Sequence, residues 1–565
     1  MAVRPVVAVL SIAALLVASC ARYEPPGPPS VPPPPTNPPA ASASGGPSAT
    51  PGGPATPGGS DAFTLAIEYG VAGLGETYGR EGAGLSAAKP ALEFTVWGNI
   101  EPERGRYEWR PFDALVEEYQ SAGLTHLQVL LSAESPWASR RPPKGLDRGD
   151  HFPKDEFLDD YVRFVTAVVE RYDGDGTDDA PGLLAGIHEW GVEREFTGFW
   201  PGSADDYIRL LRLAAPAIRA ADPQARILLV AILAIDVFDA GPAAGSAEVE
   251  RRWATTPSFR KSRAEIEAIL AACDAYDVVD FHSLGDYTEI PATAEWLRET
   301  GRRLGCERPI WVGDAFSMSV LVGFGDPFGI VAPRVFAPAA VEQRDAVIAA
   351  LEAVGDRSAS AAGREAAVAW LRAELARGVV RKAVAAAGEG LAGINLGNQE
   401  DWPFSVRAYG TANYMGLTDT RLTLRHGGGV RLPYGGAAFN RIHEAGEVRP
   451  GFEALALANR QLTGLSPGRA ARLDLGPGVW AYRFDRASGG PLWVLWYDDG
   501  RLRLPGEALP SVTVELPFDS QVATLARTPT VGDAGGPTTE RVESVGGVLT
   551  LELDATPVFV EVAGS

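Results

Sequence analysis

Carboxylates and a guanidinium follow an apolar segment near the middle of the chain. The segment reads GLLAGIHEWG (182–191); Glu193, Arg194 and Glu195 come just after it, and Trp200 follows a few residues later. Acidic side chains at the end of a buried strand can serve as general acid, general base or nucleophile. The same residues can instead form salt bridges at the rim of a domain. This segment alone leaves both interpretations open.

Similar polar and aromatic segments occur at the ends of other predicted strands. They read WGNIEPERGRYEW, SAESPW, FHSLGDY, WVGDAFSMS and NLGNQEDW. Two carboxylates that face each other across a cleft suit glycoside hydrolysis: one protonates the leaving oxygen, and the other attacks the anomeric carbon or activates water. Tryptophan rings offer flat apolar faces on which sugars can stack. For each tryptophan, packing inside the domain is the alternative; the candidates are Trp97, Trp137, Trp190, Trp200 and Trp402.

The elements that must position these segments alternate along the chain from about residue 63. Amphipathic segments with apolar residues at three- and four-residue steps predict helices. Continuous apolar segments between them are typical of parallel strands buried on both faces. Eight alternations predict an α/β fold, a (β/α)₈ TIM barrel over residues 61–465, with a doubly wound sheet as the alternative. The predicted strands are TLAIEYG, LEFTVWGN, HLQVLLSA, LLAGIHEWG, ARILLVAIL, VVDFHSL, RPIWVGDA and GLAGINLGN.

The pattern changes after about residue 465. GVWAYRFDR and PLWVLWYDDG predict two strands joined by a turn that contains Gly489 and Gly490, and SVTVELPF, GVLTLELD and PVFVEVA follow. No helical period interrupts them. Residues 466–565 are therefore predicted to form a C-terminal β-sandwich, which usually has about this size.

The N-terminus has the features of an export signal. The apolar run VVAVLSIAALLVAS is too short to span a bilayer. LVASC, which ends at Cys20, resembles the lipobox of bacterial lipoproteins. That resemblance implies removal of residues 1–19 and lipidation of the Cys20 sulfur; an ordinary secretory signal is the alternative. Residues 20–60 are rich in Pro and Gly and predict a disordered tether. The protein is expected in the bacterial cell envelope, outside the cytoplasm, anchored to a membrane through Cys20.

Charge and cysteine usage limit the partners. The net charge is −21, which argues against nucleic acid because binding to it depends on neutralising phosphates. Cys273 and Cys306 precede two consecutive predicted strands, so they can meet at the bottom of the barrel as a disulfide. The alternative is that they remain small buried residues.

No cofactor is expected. The segments contain no His or Cys cluster of the kind that binds a metal, and no Gly-x-Ser-x-Gly elbow. YDGDGTDDAPG places Asp173, Asp175 and Asp179 in a partial match to a calcium loop, and a solvated turn is the alternative.

The segments together resemble a family of glycosidases. WGNIEPERGRYEW is similar to the strand-two signature of clan A glycoside hydrolases, VEREFTGFW to their strand-four segment, and RPIWVGDA to their strand-seven segment. The β-xylosidases and α-L-iduronidases of family 39, which also carry a C-terminal β-sandwich, are the nearest likeness. The resemblance implies that Glu195 is the acid/base and Asp314 the nucleophile. It also implies that His282 and Tyr287 support the nucleophile and that Trp402 is the strand-eight aromatic.

Two positions depart from the family pattern. Arg194 replaces the asparagine that precedes the acid/base, and Asp314 replaces a glutamate, which shortens the side chain by one methylene. A guanidinium beside an acid/base would lower its pKa, so we expect Arg194 to engage another acid, with Glu193 as the first candidate. The two carboxyl groups should lie about 5–7 Å apart, slightly wider than the usual retaining separation.

Two functions compete on these residues. The first is a retaining glycosidase with Glu195 and Asp314 as its catalytic pair. The second is a glycan-binding lipoprotein that has kept the cleft and lost the chemistry. In both, the ligand is a carbohydrate, and the predicted substrate-binding residues are Trp97, Trp137, Arg194, Trp200, His282, Tyr287 and Trp402.

Overall fold

The computed structural model describes residues 62–142, 149–238, 240–255, 261–316, 321–322, 334–335, 343–355, 360–397, 418–423, 432, 442–531 and 537–564. The predicted signal peptide and tether, including Cys20, lie outside the described residues, as does Trp402. Within the described ranges, no helix is both long and hydrophobic enough to cross a membrane.

Eight parallel strands close into a barrel, which confirms the predicted (β/α)₈ fold. Each strand pairs with the next along the chain, and the last pairs with the first. The strands are β1 (Thr64–Gly70), β2 (Ala87–Pro90), β3 (His126–Leu131), β4 (Glu189–Val192), β5 (Arg226–Ile232), β6 (Val278–Ser283), β7 (Ile310–Ala315) and β8 (Gly393–Leu396).

Helices connect and surround these strands. They are α1 (Gly75–Tyr78), α2 (Trp97–Ile100), α3 (Arg110–Ser121), α4 (Leu158–Tyr172), α5 (Ala204–Ala221), α6 (Ile235–Phe238), α7 (Ala247–Thr255), α8 (Arg263–Leu270), α9 (Glu289–Leu304), α10 (Arg344–Gly355), α11 (Ala361–Gly388) and α12 (Pro450–Leu462). The long α11 belongs to the extended connection between β7 and β8, and it packs against α9 and α12.

The predicted second strand is wrong. LEFTVWGN forms a 3₁₀ helix over Leu92–Thr95 and the start of α2. The barrel strand is the preceding AAKP, all four residues of which are buried. The lysine in AAKP made this segment look unlike a buried strand, whereas the apolar and β-branched residues that follow it are typical of a strand.

The C-terminal region is built of antiparallel strands. The strands are β9 (Ala470–Arg472), β10 (Val479–Phe484), β11 (Leu492–Tyr497), β12 (Val512–Pro517), β13 (Val522–Arg527), β14 (Thr539–Glu543), β15 (Val548–Leu553) and β16 (Val558–Val562). Six of them form one sheet in the order β9-β10-β11-β16-β13-β14, and β12 pairs with β15. Alternate residues of the larger sheet face the β12–β15 pair, whereas Tyr482 and Trp496 face the barrel, so the arrangement is consistent with the predicted β-sandwich.

Three short antiparallel pairs lie outside the two main sheet systems. They join Ser139–Arg141 with Asp150–Pro153, Leu321–Val322 with Arg334–Val335, and Thr418–Thr423 with Ile442–Val448.

The predicted disulfide is present. Cys273 and Cys306 are bonded, with their Cα atoms 5.7 Å apart. Cys273 follows α8 and Cys306 follows α9, just before β6 and β7. The bond therefore ties together two neighbouring helix–strand connections at the N-terminal end of the barrel strands.

Candidate active site

Three side chains converge at the C-terminal ends of β4, β6 and β7. His282 Nδ1 lies 2.8 Å from Glu195 Oε2 and 3.9 Å from Asp314 Oδ2. These two carboxylate oxygens are therefore at most about 6.7 Å apart, the length of the two contacts placed end to end. His282 also pairs directly with Asp314 in the strand register. The upper limit is compatible with the separation of about 5–5.5 Å that retaining glycosidases use.

Burial and neighbouring charges tune this group. Burial raises the pKa of Asp314 and the Glu195 carboxylate adds to the shift, whereas His282 and Lys89 oppose it. Burial lowers the pKa of His282, so its ring is neutral at neutral pH, although Asp280 and Asp314 counteract the shift. Asp314 still keeps 21% of its side chain exposed. A substrate can thus reach Asp314, although the charges of the site interact in a medium of low polarity.

A buried ion pair lies beneath the site. Lys89 Nζ is 3.0 Å from Glu68 Oε2 and donates to the carbonyl oxygen of Gly313 at 2.7 Å. Only 3% of the Lys89 side chain and 8% of the Glu68 side chain are exposed. Gly313 must lack a side chain, because a Cβ there would come within 2.0 Å of an Asp280 carboxylate oxygen. Lys89 therefore links β1 and β2 to the segment of β7 that carries Asp314.

Arg194 engages another acid, as expected, but its partner is Glu134 and not Glu193. Its guanidinium lies 2.8 Å from Glu134 Oε2, at the end of β3. Glu193 is fully buried and accepts hydrogen bonds from Ser132 Oγ and from the backbone N–H of Ala133. Its backbone has a φ of 67°, so the strand ends in a turn at this residue. Strand alternation therefore does not extend past Val192, and Glu193 and Arg194 contact different partners.

Most of the predicted sugar-binding rings pack inside the protein. Trp97 has no exposed surface and stacks on Phe164. Trp200 is 3% exposed and donates from Nε1 to the carbonyl oxygen of Ser203. Both rings are buried by protein packing, and their contact with a sugar stays a prediction. Trp137 is half-buried and lies edge-on to Trp97, which makes it the one described tryptophan of the predicted binding set with appreciable exposure.

Tyr287 belongs to the contact with the C-terminal region rather than to the site. Its hydroxyl donates to Asp498 Oδ2 at 2.7 Å, and its ring lies against Trp480 and Trp496. The ring is 2% exposed. These contacts of Tyr287 are thus with the C-terminal region, and its expected support of the nucleophile stays a prediction.

Several site residues escaped the sequence analysis. Lys89 and Glu68 are charged residues inside otherwise apolar strands, and that exception was the available signal. Glu134 lies within the SAESPW segment but was not assigned a role. His151, which lies 3.6 Å from Glu134 and 3.4 Å from Glu193, comes from a short strand outside the barrel and carried no local signal.

The acidic loop (Asp173, Asp175 and Asp179) brings one oxygen from each carboxylate within 4.8 Å of the others. Asp179 accepts the backbone N–H groups of Gly174 and Gly176, and Asp175 accepts that of Thr177. These contacts stabilise a turn.

The fold is similar to that of solved glycoside hydrolases. No family model and no curated protein sequence matches the chain. A family 39 glycoside hydrolase from Bacteroides cellulosilyticus superposes with a TM-score of 0.52 at 12% identity, covering 89% of this chain and 81% of that one. A β-xylosidase from Caulobacter crescentus gives 0.47 at 14% identity, covering 89% and 96%. A family 30 endoxylanase from Clostridium papyrosolvens gives 0.45 at 11% identity, with the same coverages. The family 39 structure, with its TM-score of 0.52, confirms the predicted resemblance as a likeness of fold.

Proposed function

We propose that the protein is a retaining glycoside hydrolase acting on O-glycosyl bonds of oligosaccharides or polysaccharides. The observation that carries the proposal is the convergence of Glu195 and Asp314 on one nitrogen of His282, at the mouth of a parallel barrel. Catalytic groups of such barrels lie at this end of the strands. The fold likeness to a family 39 glycoside hydrolase supports the proposal by analogy.

In the proposed reaction, Glu195 protonates the glycosidic oxygen while Asp314 attacks the anomeric carbon. The bond to the leaving group breaks and an ester to Asp314 forms. Glu195 then takes a proton from water, which attacks the same carbon and releases Asp314. The neutral His282 ring carries its proton on Nε2, the nitrogen nearer Asp280, so that Nδ1 accepts the hydrogen bond of protonated Glu195.

The two departures from the family pattern are compatible with this chemistry. Arg194 is held by Glu134, so its charge is partly compensated rather than directed at Glu195. Asp314 is shorter than a glutamate, and Lys89 binds the carbonyl of the preceding Gly313, which fixes the strand that carries it. A fixed backbone matters because attack geometry tolerates little misplacement.

We further propose that the enzyme is exported and anchored by a lipid on Cys20. The motif LVASC and the Pro/Gly-rich residues that follow support this location. The Cys273–Cys306 disulfide supports it too, because structural disulfides are typical of oxidising compartments. A fatty-acid analogue fed to expressing cells should label the wild-type protein and leave Cys20→Ala unlabelled. Equal labelling of both would exclude the anchor.

The function is tested with aryl β-glycosides and with oligosaccharides that have poor leaving groups. Glu195→Gln should lose turnover of the oligosaccharides but still react with activated aryl glycosides, because their departure needs no protonation. Asp314→Ala should lose both, and Asp314→Glu should keep or raise activity. Glu295→Gln, at an exposed position on α9, is the matched control.

The glycan-binding alternative gives a different outcome. Under it, the wild type hydrolyses none of these substrates but binds an oligosaccharide, and Glu195→Gln leaves the affinity unchanged. That combination of results would overturn the enzymatic proposal.

A further inference from the structure

A buried lysine reaches the site from the helix α11. Lys382 is 1% exposed, and its Nζ donates to the carbonyl oxygen of Ser283 at 2.8 Å. The same carbonyl accepts the backbone N–H of Phe316 at 3.2 Å. Ser283 directly follows His282, and Phe316 lies two residues beyond Asp314. Lys382 therefore holds the point at which the ends of β6 and β7 are joined.

The serine hydroxyl connects this lysine to a buried acid. Lys382 Nζ lies 3.2 Å from Ser283 Oγ, which donates to Glu289 Oε1 at 2.7 Å. Glu289 also accepts the backbone N–H of Gly285 at 2.7 Å and is 2% exposed. A Cβ at Gly285 would come within 2.9 Å of this carboxylate, so the loop after β6 is shaped around it. A buried ammonium and a buried carboxylate thus share one hydroxyl.

A second layer of charges ties this group to the C-terminal region. Arg381 precedes Lys382 on α11 and lies 3.8 Å from Asp498, which also accepts the Tyr287 hydroxyl. Asp286, in the loop after β6, faces Asp498, Arg381 and Lys382, and burial raises its pKa to about 6. The inserted helix α11 therefore contacts the barrel mouth on one side and the sandwich on the other.

We propose that Lys382 is a positioning residue for Asp314: its ammonium binds the Ser283 carbonyl, fixes the ends of β6 and β7, and places a positive charge on the side of the site that carries Asp314. Glu289 offsets part of that charge through Ser283. The inference rests on the proposed function, since it assigns a supporting role at the same site. It also assigns a role to α11, which lies in the long connection between β7 and β8.

The charges around the two groups set the direction of the effect. Lys382 faces Glu289, Asp286 and Asp314, and burial lowers its pKa while these acids oppose the shift. Asp314 faces the acids Glu195, Asp280 and Glu68, and the Glu195 charge raises its pKa. It also faces the His282 ring and the cationic Lys89 and Lys382, and these two cations lower its pKa. Removing the Lys382 charge must therefore make Asp314 harder to ionise.

The first test is the pH profile of kcat/KM with an activated aryl glycoside. Its acidic limb reports ionisation of the nucleophile in the free enzyme. Lys382→Met should move this limb to higher pH by about 1 unit, the lower end of the range for one nearby charge. Lys382→Arg should stay close to wild type, and Glu289→Gln should move the limb to lower pH. Arg377 is a buried cation on the same helix, but it contacts Thr556 rather than Ser283. Arg377→Met should therefore leave the acidic limb in place.

The outcomes separate positioning from general stability. An unchanged limb in folded Lys382→Met overturns the proposal, as does an equal shift in Arg377→Met or a Lys382→Arg variant that behaves like Lys382→Met. If Lys382→Met does not fold, the direction of the Glu289→Gln shift decides alone.

A second measurement does not depend on turnover. The chain has six histidines, so the His282 ring signal in an NMR spectrum can be assigned by its loss in His282→Gln. Asp314 lies 3.9 Å from that ring, and its ionisation should shift the signal. The midpoint should rise in Lys382→Met even if the protein hydrolyses no glycoside. An unchanged midpoint would overturn the role of Lys382. Because this measurement needs no turnover, that result is distinct from a failure of the proposed function.

Discussion

Replacing Lys89 with methionine should destabilise the barrel strongly. The substitution keeps most of the side-chain volume but removes the ammonium that lies 3.0 Å from the buried Glu68 carboxylate. It also removes the donor to the Gly313 carbonyl oxygen. Removing one partner of a buried ion pair costs about 3–5 kcal/mol, because the remaining carboxylate must keep its charge in a medium of low polarity or take up a proton. We expect a loss of that size in the free energy of unfolding.

The loss should grow as the pH rises. Burial raises the pKa of Glu68 well above its usual value, and the Lys89 charge opposes this shift. A group whose pKa is raised by folding contributes stability at low pH, and that contribution is lost as the pH rises through its folded pKa. Without Lys89 the folded pKa of Glu68 is higher still. The unfolding free energy of Lys89→Met should therefore fall more steeply than that of the wild type between about pH 5 and about pH 8.

Chemical denaturation followed by circular dichroism at both pH values measures the effect. The double variant Lys89→Met/Glu68→Gln should recover part of the stability and lose part of the additional pH dependence, because the Glu68 charge is then gone. The recovery should be incomplete, because Lys89 also faces Asp280 and Asp314. Arg212→Met is the control: its ion pair with Asp274 has the same order of distance, 3.0 Å, but both side chains are more than half exposed. It should lose less than about 1 kcal/mol. A Lys89→Met loss as small as this, or one that does not depend on pH, would refute the reasoning.

Three further outcomes follow from contacts away from the site. Replacing Cys273 and Cys306 with alanine should lower the unfolding free energy by about 2–4 kcal/mol, since the bond closes a loop between residues 33 apart; guanidinium denaturation with and without reductant checks this. Tyr287→Phe should lower it by about 1–3 kcal/mol, because Asp498 loses a buried donor; calorimetry would show the shift. Calcium chelation should leave the melting temperature unchanged, because backbone N–H groups already donate hydrogen bonds to the carboxylates of the acidic loop. A drop in the melting temperature would show a bound ion.

Continuous apolar strands made most of the fold predictable. HLQVLL, RILLVAI and VVDFHS lie in the barrel within one or two residues of their predicted limits. β2 was missed because a four-residue strand with a buried lysine has no local pattern that separates it from a loop. Its identity as a strand depends on the distant Glu68 and Gly313, which no local window contains.

The site was predictable where it depends on strand ends and unpredictable where it depends on tertiary partners. Glu195 follows the fourth predicted strand, and His282 and Asp314 lie near the ends of the sixth and seventh. The closed barrel brings the three together. Tyr287 follows the same strand as His282, yet its side chain reaches Asp498, which is more than 200 residues away in the chain. Lys382 lies in the middle of an alanine-rich helix whose sequence gives no sign that one residue faces a barrel mouth.

The surroundings of Glu193 and Glu195 decide which of them suits a general acid. Burial alone would raise the pKa of Glu193, but its hydrogen bond with His151 and the charge of Arg194 outweigh burial and lower it. Glu193 also accepts from Ser132 Oγ and the Ala133 N–H, and each of these donors stabilises the ionised form. It is fully buried at a residue with positive φ, where its hydrogen bonds hold the turn that ends β4. A carboxylate held ionised in this way cannot deliver a proton to a leaving group. That turn directs Glu195 toward His282 and Asp314, so Glu193 supports the site through the backbone and Glu195 is the residue placed to act in it.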